Sequence, residues 1–327
     1  MTTPAAYVGI DISKESFDVA FPQRDNTYEI KTFTNDLKGW EKLDKELGSG
    51  DISVVEATGS YHVGLAVFLS NCGRKICVVN PLQVKYFARM KMSRAKTDKA
   101  DAILIACYGQ FENPPGWTPR ADHLVELQQL LSVSAQLTNQ KTALQNQLKS
   151  LKLVPNYSEV AIGVLEEQIS NLKVQLLNLQ TQINQIVRSN YPQMESSLRS
   201  IPGIGPKTCA VLLLVTEGFT KFDNYKALIA YAGLAPRTYQ SGATVKGPAH
   251  ICKLGAVYLR KLLYECAHSA KRFNPTCKKL FNRLYLEKKK HFRVAMIAVA
   301  NKLIKLAFAI VASGKTYDPK YESVKTV

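Results

Sequence analysis

The first 110 residues alternate between short apolar runs and longer amphipathic ones. Five apolar or alternating runs predict β-strands, and they occupy residues 5–12, 17–21, 28–33, 52–56 and 75–79. Four amphipathic patterns predict helices, which would occupy residues 35–47 with Asn35 as the N-cap, 61–72, 82–90 and 97–108. With the two consecutive helices at the end counted as one helical segment, the predicted order of elements is βββαβαβα.

Four acidic side chains near the ends of three of these elements are candidates for chemistry. Asp11 lies near the end of the first predicted strand, Glu56 ends the fourth, and Asp98 and Asp101 begin the last helix. The order βββαβαβα is that of the RNase H-like nuclease fold, in which the first and fourth strands are neighbours. We therefore expect an α/β RNase H-like (RuvC-like) domain over residues 1–112, with the four carboxylates at one place.

Four neighbouring carboxylates repel one another unless a cation lies between them, and their oxygens are preferred ligands of hard divalent ions. Taken alone, Asp98 and Asp101 have a simpler explanation, because acids are favoured in the first turn of a helix. Glu15 and Asp18, near the same strands, are expected to be bystanders. The prediction is a metal site that holds Mg²⁺, with Mn²⁺ as the alternative.

Residues 113–192 predict a linker followed by a helical arm. Two long helical patterns follow the proline-containing linker, and Pro155 and Asn156 separate them. In the second pattern, apolar residues from Ile162 to Ile186 alternate spacings of three and four without a miss, which is typical of a coiled coil. An antiparallel hairpin within the chain, association of protomers, or both together explain this pattern. The second alternative predicts a homodimer or homotetramer joined through the coiled-coil arm.

Positive charge is concentrated in the C-terminal part of the chain. Residues 191–327 contain 23 Lys and Arg but 7 Asp and Glu, whereas residues 1–190 contain 20 and 19. This asymmetry predicts a polyanionic partner, most simply nucleic acid, for a basic, mostly α domain over residues 193–327. The candidate contacts to phosphate are Gly203, Gly205, Lys207, Arg237, Lys246, Lys253, Arg260 and Lys261.

The two glycines among these residues precede an apolar helix. The run Ile201-Pro202-Gly203-Ile204-Gly205-Pro206-Lys207 is similar to the hairpin of a helix-hairpin-helix motif, whose free backbone N–H groups bind phosphate. Turn glycines that merely allow close packing are the alternative. The final residues, 315–327, are expected to form an ordinary tail.

Other classes of protein are disfavoured. The seven cysteines include no C-x-x-C pair, which indicates reduced thiols in a cytoplasmic protein without structural zinc. We expect no secretory signal, because the N-terminus has no basic region followed by an apolar one. The most apolar stretch, 294–312, contains Asn301, Lys302 and Lys305, so it predicts a core helix and no membrane partner.

Five motifs in this order resemble those of one enzyme family. They are Ile10-Asp11, Glu56-Ala57-Thr58-Gly59, Lys96-Thr97-Asp98 with Asp101-Ala102, Ile201-Pro202-Gly203-Ile204-Gly205, and Tyr231-Ala232-Gly233-Leu234 with Ser241-Gly242. The chain thereby resembles the DEDD recombinases, which are Piv-like invertases and insertion-sequence transposases whose members work with a bridge RNA. The resemblance extends from about residue 6 to about residue 317.

The resemblance implies roles for individual residues. Asp11, Glu56, Asp98 and Asp101 would form the metal-binding tetrad, and Ser241 would be the nucleophile of a C-terminal transposase domain. Without the resemblance, the hydroxyls at 238, 239 and 244 are equally plausible nucleophiles. The implied partners are donor and target DNA and a guide or bridge RNA. The implied location is the bacterial cytoplasm, with association with the nucleoid during activity.

Two other functions fit the same residues. One is an RNase H-like junction resolvase or nuclease that uses water as the nucleophile, and the other is a non-catalytic scaffold that binds nucleic acid. Sugar kinases and actin-like ATPases also begin with a strand such as Gly9-Ile10-Asp11, but no second glycine-rich phosphate loop follows at a matching place in the sequence.

Overall fold

The structure is a computed structural model that describes residues 6–25, 27–92, 97–237, 240–241, 245–246 and 250–320. The chain forms two compact units, Met1–Arg120 and Ala121–Val327. The first unit is mixed α/β, and the second is mostly helical. Both of these predictions from the sequence are confirmed.

The first unit is built on a five-stranded sheet. Its strands are β1 (Tyr7–Ile12), β2 (Ser16–Pro22), β3 (Tyr28–Thr34), β4 (Ile52–Glu56) and β5 (Lys75–Val79). The order in the sheet is β3-β2-β1-β4-β5. Strands β1 to β3 are antiparallel, whereas β4 runs parallel to both β1 and β5. The predicted adjacency of the first and fourth strands is confirmed.

Helices cover both faces of this sheet. They are α1 (Leu37–Glu46), α2 (Tyr61–Asn71), α3 (Pro81–Met90) and α4 (Asp98–Glu112). Helices α1 and α2 pack on one face, where Leu43 and Leu65 join the core around Ile10. Helices α3 and α4 pack on the opposite face, where Phe87 and Ile105 contact the core around Val54. The two sides of the sheet therefore carry different helices.

The start of α1 differs by one residue from the sequence prediction. The N-cap is Asp36, whose side chain accepts a hydrogen bond of 2.8 Å from the Gly39 N–H. Asn35 instead donates to the Ser13 carbonyl and accepts from the Trp40 indole N–H, each at 2.9 Å. Both residue types cap helices well, so the sequence could not distinguish them. The end of β3 at Thr34 and the Asn35 contacts decide the outcome.

The second unit begins with a helical hairpin. Helices α5 (Asp122–Leu151) and α6 (Glu159–Asn190) pack against each other, and the first turns of α5 share a core with the last turns of α6. The two helices are therefore antiparallel. The first half of the heptad pattern is buried, as Ile162, Leu165 and Leu172 show. The structure thus contains the hairpin alternative within one chain.

The rest of the second unit is a helical core with short strands between two of its helices. The helices are α7 (Pro192–Arg199), α8 (Pro206–Thr216), α9 (Tyr225–Tyr231), α10 (Val257–Phe273), α11 (Pro275–Asn282), a π-helical turn (Arg283–Glu287) and α12 (Phe292–Ser313). The strands between α9 and α10 are β6 (Pro236–Arg237), β7 (Gln240–Ser241), β8 (Val245–Lys246) and β9 (His250–Ile251). Strand β6 pairs with β9, and β7 pairs with β8.

Helix α12 is the centre of this core. It is long and apolar enough to cross a membrane by length and composition. Its residues Met296, Val299, Leu303 and Ile304 are nevertheless completely buried among the other helices of the second unit. The sequence prediction of a core helix at this position is confirmed.

The segment that follows α12 corrects the expectation of an ordinary tail. The Tyr317 backbone N–H donates a hydrogen bond of 2.7 Å to the Ser200 hydroxyl. The Tyr317 hydroxyl donates one of 2.9 Å to Asn274 Oδ1, and Asn274 is completely buried. Residues 315–318 therefore form a strap that connects the α7–α8 turn to the start of α11.

Candidate functional site

Helix α4 lies directly against β1 because Gly9 has no side chain. A Cβ atom at Gly9 would overlap the carbonyl oxygen of Ala102 and the backbone nitrogen of Ala106. Ala20, which is opposite Gly9 on β2, packs in one buried cluster with the same two alanines. These small residues let the backbone of α4 contact the sheet, and this contact determines which α4 residues reach each end of β1.

The direction of α4 brings its first turn to the C-terminal end of β1. Near the other end of the helix, Gly109 contacts Tyr7 at the start of β1. The alanines in the middle of α4 contact Gly9 in the middle of β1. The helix therefore runs antiparallel to β1, and its first-turn acids, Asp98 and Asp101, lie towards the strand's end.

Asp11 and Glu56 lie side by side at that same end. Side chains alternate along a strand, so Asp11 shares with Gly9 the face that α4 covers. Ile10 pairs with Val55 in the parallel β1–β4 register, and both residues are buried on the opposite face. Glu56, the next residue of β4, is therefore level with Asp11 and points to the same face.

The first turn of α4 begins at a side-chain cap. The Thr97 hydroxyl accepts a hydrogen bond of 3.2 Å from the Ala100 N–H. Asp98 is exposed, and Asp101 is partly buried. Two acids in this turn are favourable locally, because the N-terminal end of a helix carries partial positive charge.

The electrostatic centre of the site is Asp11. Burial raises the pKa of Asp11 from 3.8 to about 6, and the negative charges of Asp101, Asp98, Glu56 and Asp18 act in the same direction. Burial also raises the pKa of Glu56, with a contribution from the charge of Asp101. The structure therefore brings together all four acids that the sequence analysis selected.

Asp18 is a fifth carboxylate at this place, although the sequence analysis treated it as a bystander. The antiparallel register of β1 and β2 puts Asp18 directly opposite Asp11. The Thr32 hydroxyl donates a hydrogen bond to Asp18 Oδ1. The sequence contains a signal for this pairing. Asp11 and Asp18 are equally distant from the turn that joins the two strands, so an antiparallel hairpin places them opposite each other. We refer to Asp11, Asp18, Glu56, Asp98 and Asp101 as the acid cluster.

The donor chemistry of the acid cluster fits a hard divalent cation. Carboxylate oxygens are the ligands that Mg²⁺ and Mn²⁺ prefer. Burial raises the Asp11 pKa most, and a cation would relieve the repulsion from neighbouring carboxylates that raises it further. Over the residues that the structure describes, however, no three His, Cys, Asp or Glu side chains lie close enough to surround one ion. The described side chains therefore do not form a complete set of metal ligands.

The backbone of Ser241 lies in a short β-ribbon. Ser241 pairs with Val245, and Gln240 pairs with Lys246. The side chains of Ser241 and Lys246 lie outside the described part of the chain, as do the alternative hydroxyl residues at 238, 239 and 244. The predicted role of Ser241 as the nucleophile therefore stays a prediction.

Arg260 holds the base of the loop that contains this ribbon. Its Nη1 donates a hydrogen bond of 2.9 Å to the Ala232 carbonyl oxygen. Gly233 and Gly255 have φ angles of 67° and 121°, and a Cβ atom at Gly255 would overlap the Tyr231 carbonyl oxygen. Arg260, which the sequence analysis assigned to phosphate, thus also binds the protein's own turn. Among the other cations that were predicted to contact phosphate, Arg237, Lys253 and Lys261 are exposed.

The α7–α8 turn combines a packing glycine with an exposed one. Gly203 has a φ of 110°, and a Cβ atom there would lie 2.8 Å from Ala270 Cβ, so close packing on α10 requires a glycine. Gly205 is exposed, has open space around it and begins α8. Lys207 follows, with its Nζ 5.9 Å from the centre of the Tyr258 ring. Of the predicted phosphate-binding turn, Gly205 is therefore exposed, whereas Lys207 is half-buried.

Comparison with known proteins identifies the family. Residues 8–153 match a family model described as a transposase, of the DEDD type named for IS110, and residues 195–282 match one described as the transposase IS116/IS110/IS902 family. The chain is 34% identical to the pilin gene-inverting protein of Moraxella lacunata, over 96% of this chain and 98% of that protein. The chain belongs to the DEDD recombinase family.

Other relatives of this DEDD recombinase cover less of the chain or are less similar. It is 33% identical to the pilin gene-inverting protein of Moraxella bovis, over 96% of this chain and 98% of that protein. It is 24% identical to the transposase for insertion sequence element IS1111A of Coxiella burnetii, over 81% of this chain and 78% of that protein. The resemblance that the motifs indicated is thereby confirmed.

Each of the two matched regions contains a separate group of candidate residues. The first includes the whole acid cluster, and the second includes the α7–α8 turn and Ser241. Helix α6 lies entirely outside both regions. Because the family consists of transposases and related recombinases, this DEDD recombinase is a DNA-modifying enzyme.

Proposed function

We propose that this DEDD recombinase cuts and rejoins DNA strands as the transposase of an insertion sequence. Its catalytic groups would be Asp11, Glu56, Asp98, Asp101 and Ser241. The observation that carries the proposal is the convergence of Asp11, Glu56, Asp98 and Asp101 at one end of one sheet face, with the pKa of Asp11 raised to about 6. Perturbed carboxylates on separate elements are typical of catalytic sites.

The carboxylates would hold Mg²⁺ or Mn²⁺, with Asp11 at the centre and Glu56, Asp98 and Asp101 around it. When bound, such an ion would stabilise negative charge on the attacking and leaving oxygens of a phosphodiester. Asp11 retains a proton to higher pH than an ordinary aspartate, and it would lose this proton as a cation binds. Binding would also draw the side chains inwards, since no three of the described ones surround an ion as placed.

Ser241 would attack the phosphorus of the DNA backbone. A bond forms between its hydroxyl oxygen and phosphorus, and the bond between phosphorus and the oxygen of one strand end breaks. The released strand-end oxygen takes up a proton, while the serine hydroxyl loses one. The serine–phosphate ester conserves the energy of the broken bond, so that rejoining the strands needs no nucleotide cofactor.

The fold supports this chemistry. Three antiparallel strands followed by two parallel ones, in the order β3-β2-β1-β4-β5, fit an RNase H-like (RuvC-like) domain. The α5–α6 hairpin would be the coiled-coil arm that joins protomers into a homodimer or homotetramer. Apolar side chains near its tip support this assignment, since Leu153 is 85% and Val160 is 78% exposed.

The second unit would bind the nucleic acids. Residues 121–327 have 28 Lys and Arg against 12 Asp and Glu, which suits DNA and also a guide or bridge RNA. Exposed Lys253 and Lys261, together with half-buried Lys207, would contact phosphates and add affinity without sequence preference. Sequencing of the nucleic acid that copurifies with the protein tests the presence of a guide RNA.

Denaturing electrophoresis of end-labelled DNA after reaction tests the serine chemistry. We expect a covalent protein–DNA adduct that disappears in Ser241→Ala but persists in the matched hydroxyl variants Tyr239→Phe and Thr244→Val. An adduct that survives in Ser241→Ala would disprove the assignment of the nucleophile. Free DNA ends without any adduct would favour a junction resolvase that uses water.

A second candidate is site-specific inversion of a DNA segment. The observation that favours it is the identity of 33–34% to two pilin gene-inverting proteins over nearly their full length. Inversion and transposition would use the same strand chemistry on differently arranged DNA sites. A plasmid with two inverted recombination sites distinguishes them, because inversion reverses the segment whereas transposition inserts the element elsewhere.

A further inference from the structure

Helix α3 has a basic surface, although the net charge of the first unit as a whole is close to zero. Between Glu56 and Asp98 the sequence contains 7 Lys and Arg but no Asp or Glu. In the described part of this stretch, Lys85, Arg89 and Lys91 are all exposed on α3 and its C-cap. No described acid forms an ion pair with any of these three cations. This surface therefore has unneutralised positive charge available to a partner.

Exposed aromatic rings lie next to these cations. The Arg89 guanidinium lies 6.0 Å from the centre of the Tyr86 ring, and Tyr86 is 57% exposed. Lys91 Nζ lies 5.9 Å from the centre of the Phe111 ring, and Phe111 is 62% exposed. Cations alone suit any polyanion, but exposed rings beside cations also provide flat faces on which unpaired bases stack.

The same surface begins beside the acid cluster. Val79, the last residue of β5, pairs with Glu56, and the next residue, Asn80, caps α3 by accepting a hydrogen bond of 2.9 Å from the Leu82 N–H. Helix α3 therefore starts at the end of the sheet that carries the acids. Lys85 and Arg89 follow about one and two helical turns further along.

Helices α3 and α4 also share one face of the sheet. Val84 and Phe87 of α3 pack with Ile105 and Tyr108 of α4 over Val54. The acid cluster lies on this face too. A strand of nucleic acid along α3 would therefore reach the carboxylates without passing around the edge of the sheet.

We propose that the exposed face of α3 binds a single-stranded segment of nucleic acid and leads its backbone to the acid cluster. We name this surface the α3 face, and its residues are Lys85, Tyr86, Arg89, Met90, Lys91 and Phe111. The cations contact phosphates, and the rings stack on unpaired bases. The positive charge offsets the repulsion between the carboxylates and the phosphates. Only the fate of the strand at the acid cluster depends on the proposed function.

Photocrosslinking of the full-length chain tests the stacking. The probe is a single-stranded oligonucleotide that contains 5-iodouracil, mixed with the protein in EDTA so that no cleavage takes place, and the crosslinked peptides are mapped by mass spectrometry. We expect crosslinks at Tyr86 that are about tenfold more frequent than at Tyr61, an internal control on the same unit that is 44% exposed. A matched duplex probe should crosslink poorly at Tyr86.

Charge reversal tests the phosphate contacts. The double variant Lys85→Glu/Arg89→Glu should reduce the Tyr86 crosslink at least about fivefold at moderate salt. The matched control is Lys38→Glu/Lys42→Glu, two exposed lysines with the same spacing of four on α1, which packs on the opposite face of the sheet. This control should change the crosslink less than about twofold. Unchanged thermal unfolding of both variants confirms that they are folded.

Three results would overturn the proposal. One is crosslinking at Tyr86 no greater than at Tyr61, and another is equal crosslinking to duplex and single strand. The third is equal loss in the two charge variants. A changed oligomeric mass of Lys85→Glu/Arg89→Glu with an unchanged crosslink would indicate a protein interface instead. Since these readouts need no strand cleavage, they stand whether or not the Ser241 adduct is found.

Discussion

The two units of this DEDD recombinase present their functional groups in opposite ways. In the first unit, charges nearly cancel, with 15 Lys and Arg against 14 Asp and Glu, yet five acids converge on one end of a rigid sheet. In the second unit, 28 Lys and Arg exceed 12 Asp and Glu, and the cations are spread over helices and loops. In the first unit, folding brings negative charges together at one place. In the second unit, the positive charge follows from the excess of Lys and Arg in the sequence.

This contrast separates two requirements of one enzyme. The proposed metal-assisted chemistry would need ligands held in place, and the backbone contacts between the sheet and α4 hold the acids of the first unit. Binding of a polyanion needs many exposed cations of moderate precision, which the second unit provides. We therefore expect substitutions of the acid cluster to affect chemistry at unchanged binding, and substitutions of cations in the second unit to affect binding first.

The largest expected effect is the loss of strand cleavage in Asp11→Asn. Removing the central carboxylate would lower the rate by roughly 1000-fold or more, because metal stabilisation of the transition state contributes several kcal/mol. DNA affinity, measured by fluorescence anisotropy, should stay within about twofold of the parent, because nonspecific affinity comes mainly from phosphate contacts. The control is Glu15→Gln, an exposed acid on the same β1–β2 hairpin. Full cleavage by Asp11→Asn would disprove the role of the acid cluster.

The next effect is structural. In Gly9→Ala, the new methyl group would overlap the backbone of α4 at Ala102 and Ala106, so we expect the free energy of unfolding to fall by about 2–3 kcal/mol. Cleavage should fall as well, because α4 carries Asp98 and Asp101. Urea unfolding measures the first effect. Gly50→Ala, at a glycine with open space around it, is the control and should leave cleavage intact.

A smaller effect concerns pH. Because the pKa of Asp11 is raised from 3.8 to about 6, its protonated form is favoured by folding, and this stabilisation is lost as pH rises from about 4 through 6. In EDTA, the parent should therefore lose roughly 1–2 kcal/mol relative to Asp11→Asn over this window, with allowance for the partial exposure of Asp11. Urea unfolding of both proteins at several pH values measures the difference.

Asp36 provides a control of opposite sign for this pH dependence. The hydrogen bond from the Gly39 N–H lowers the pKa of the Asp36 carboxyl, so its ionised form is favoured by folding. Asp36→Asn should therefore be less stable than the parent at neutral pH, and the difference should shrink as pH falls. A flat difference between the parent and Asp11→Asn from pH 4 to pH 7 would contradict the electrostatic description of the acid cluster.

The smallest effect belongs to the second unit. Gly163 lies within α6, and a Cβ atom there would meet open space. Gly163→Ala should therefore raise the free energy of unfolding by about 0.5–1 kcal/mol, because alanine is the better helix former. Cleavage and DNA affinity should not change. A loss of stability, or a changed oligomeric mass by light scattering, would mean that a partner packs against this side of the arm.

The sequence alone determined the elements and much of the candidate site. Periods of two and of three to four predicted the five strands, α4, and the two helices separated by Pro155, because these patterns express which side of each element is buried. The position of Asp11 and Glu56 on neighbouring strands followed from the order of elements. The excess of Lys and Arg after residue 190 can be counted from the sequence without any knowledge of the fold.

Tertiary structure decided what depends on contacts between distant residues. Only the β1–β2 register puts Asp18 opposite Asp11, and only the packing of α4 explains why residue 9 is a glycine. The choice of Asp36 over Asn35 as a cap likewise depends on contacts beyond the helix, and so does the anchoring of Tyr317. Local patterns indicate which side of an element faces inwards, but cross-strand register and the separation of packed backbones determine which side chains meet.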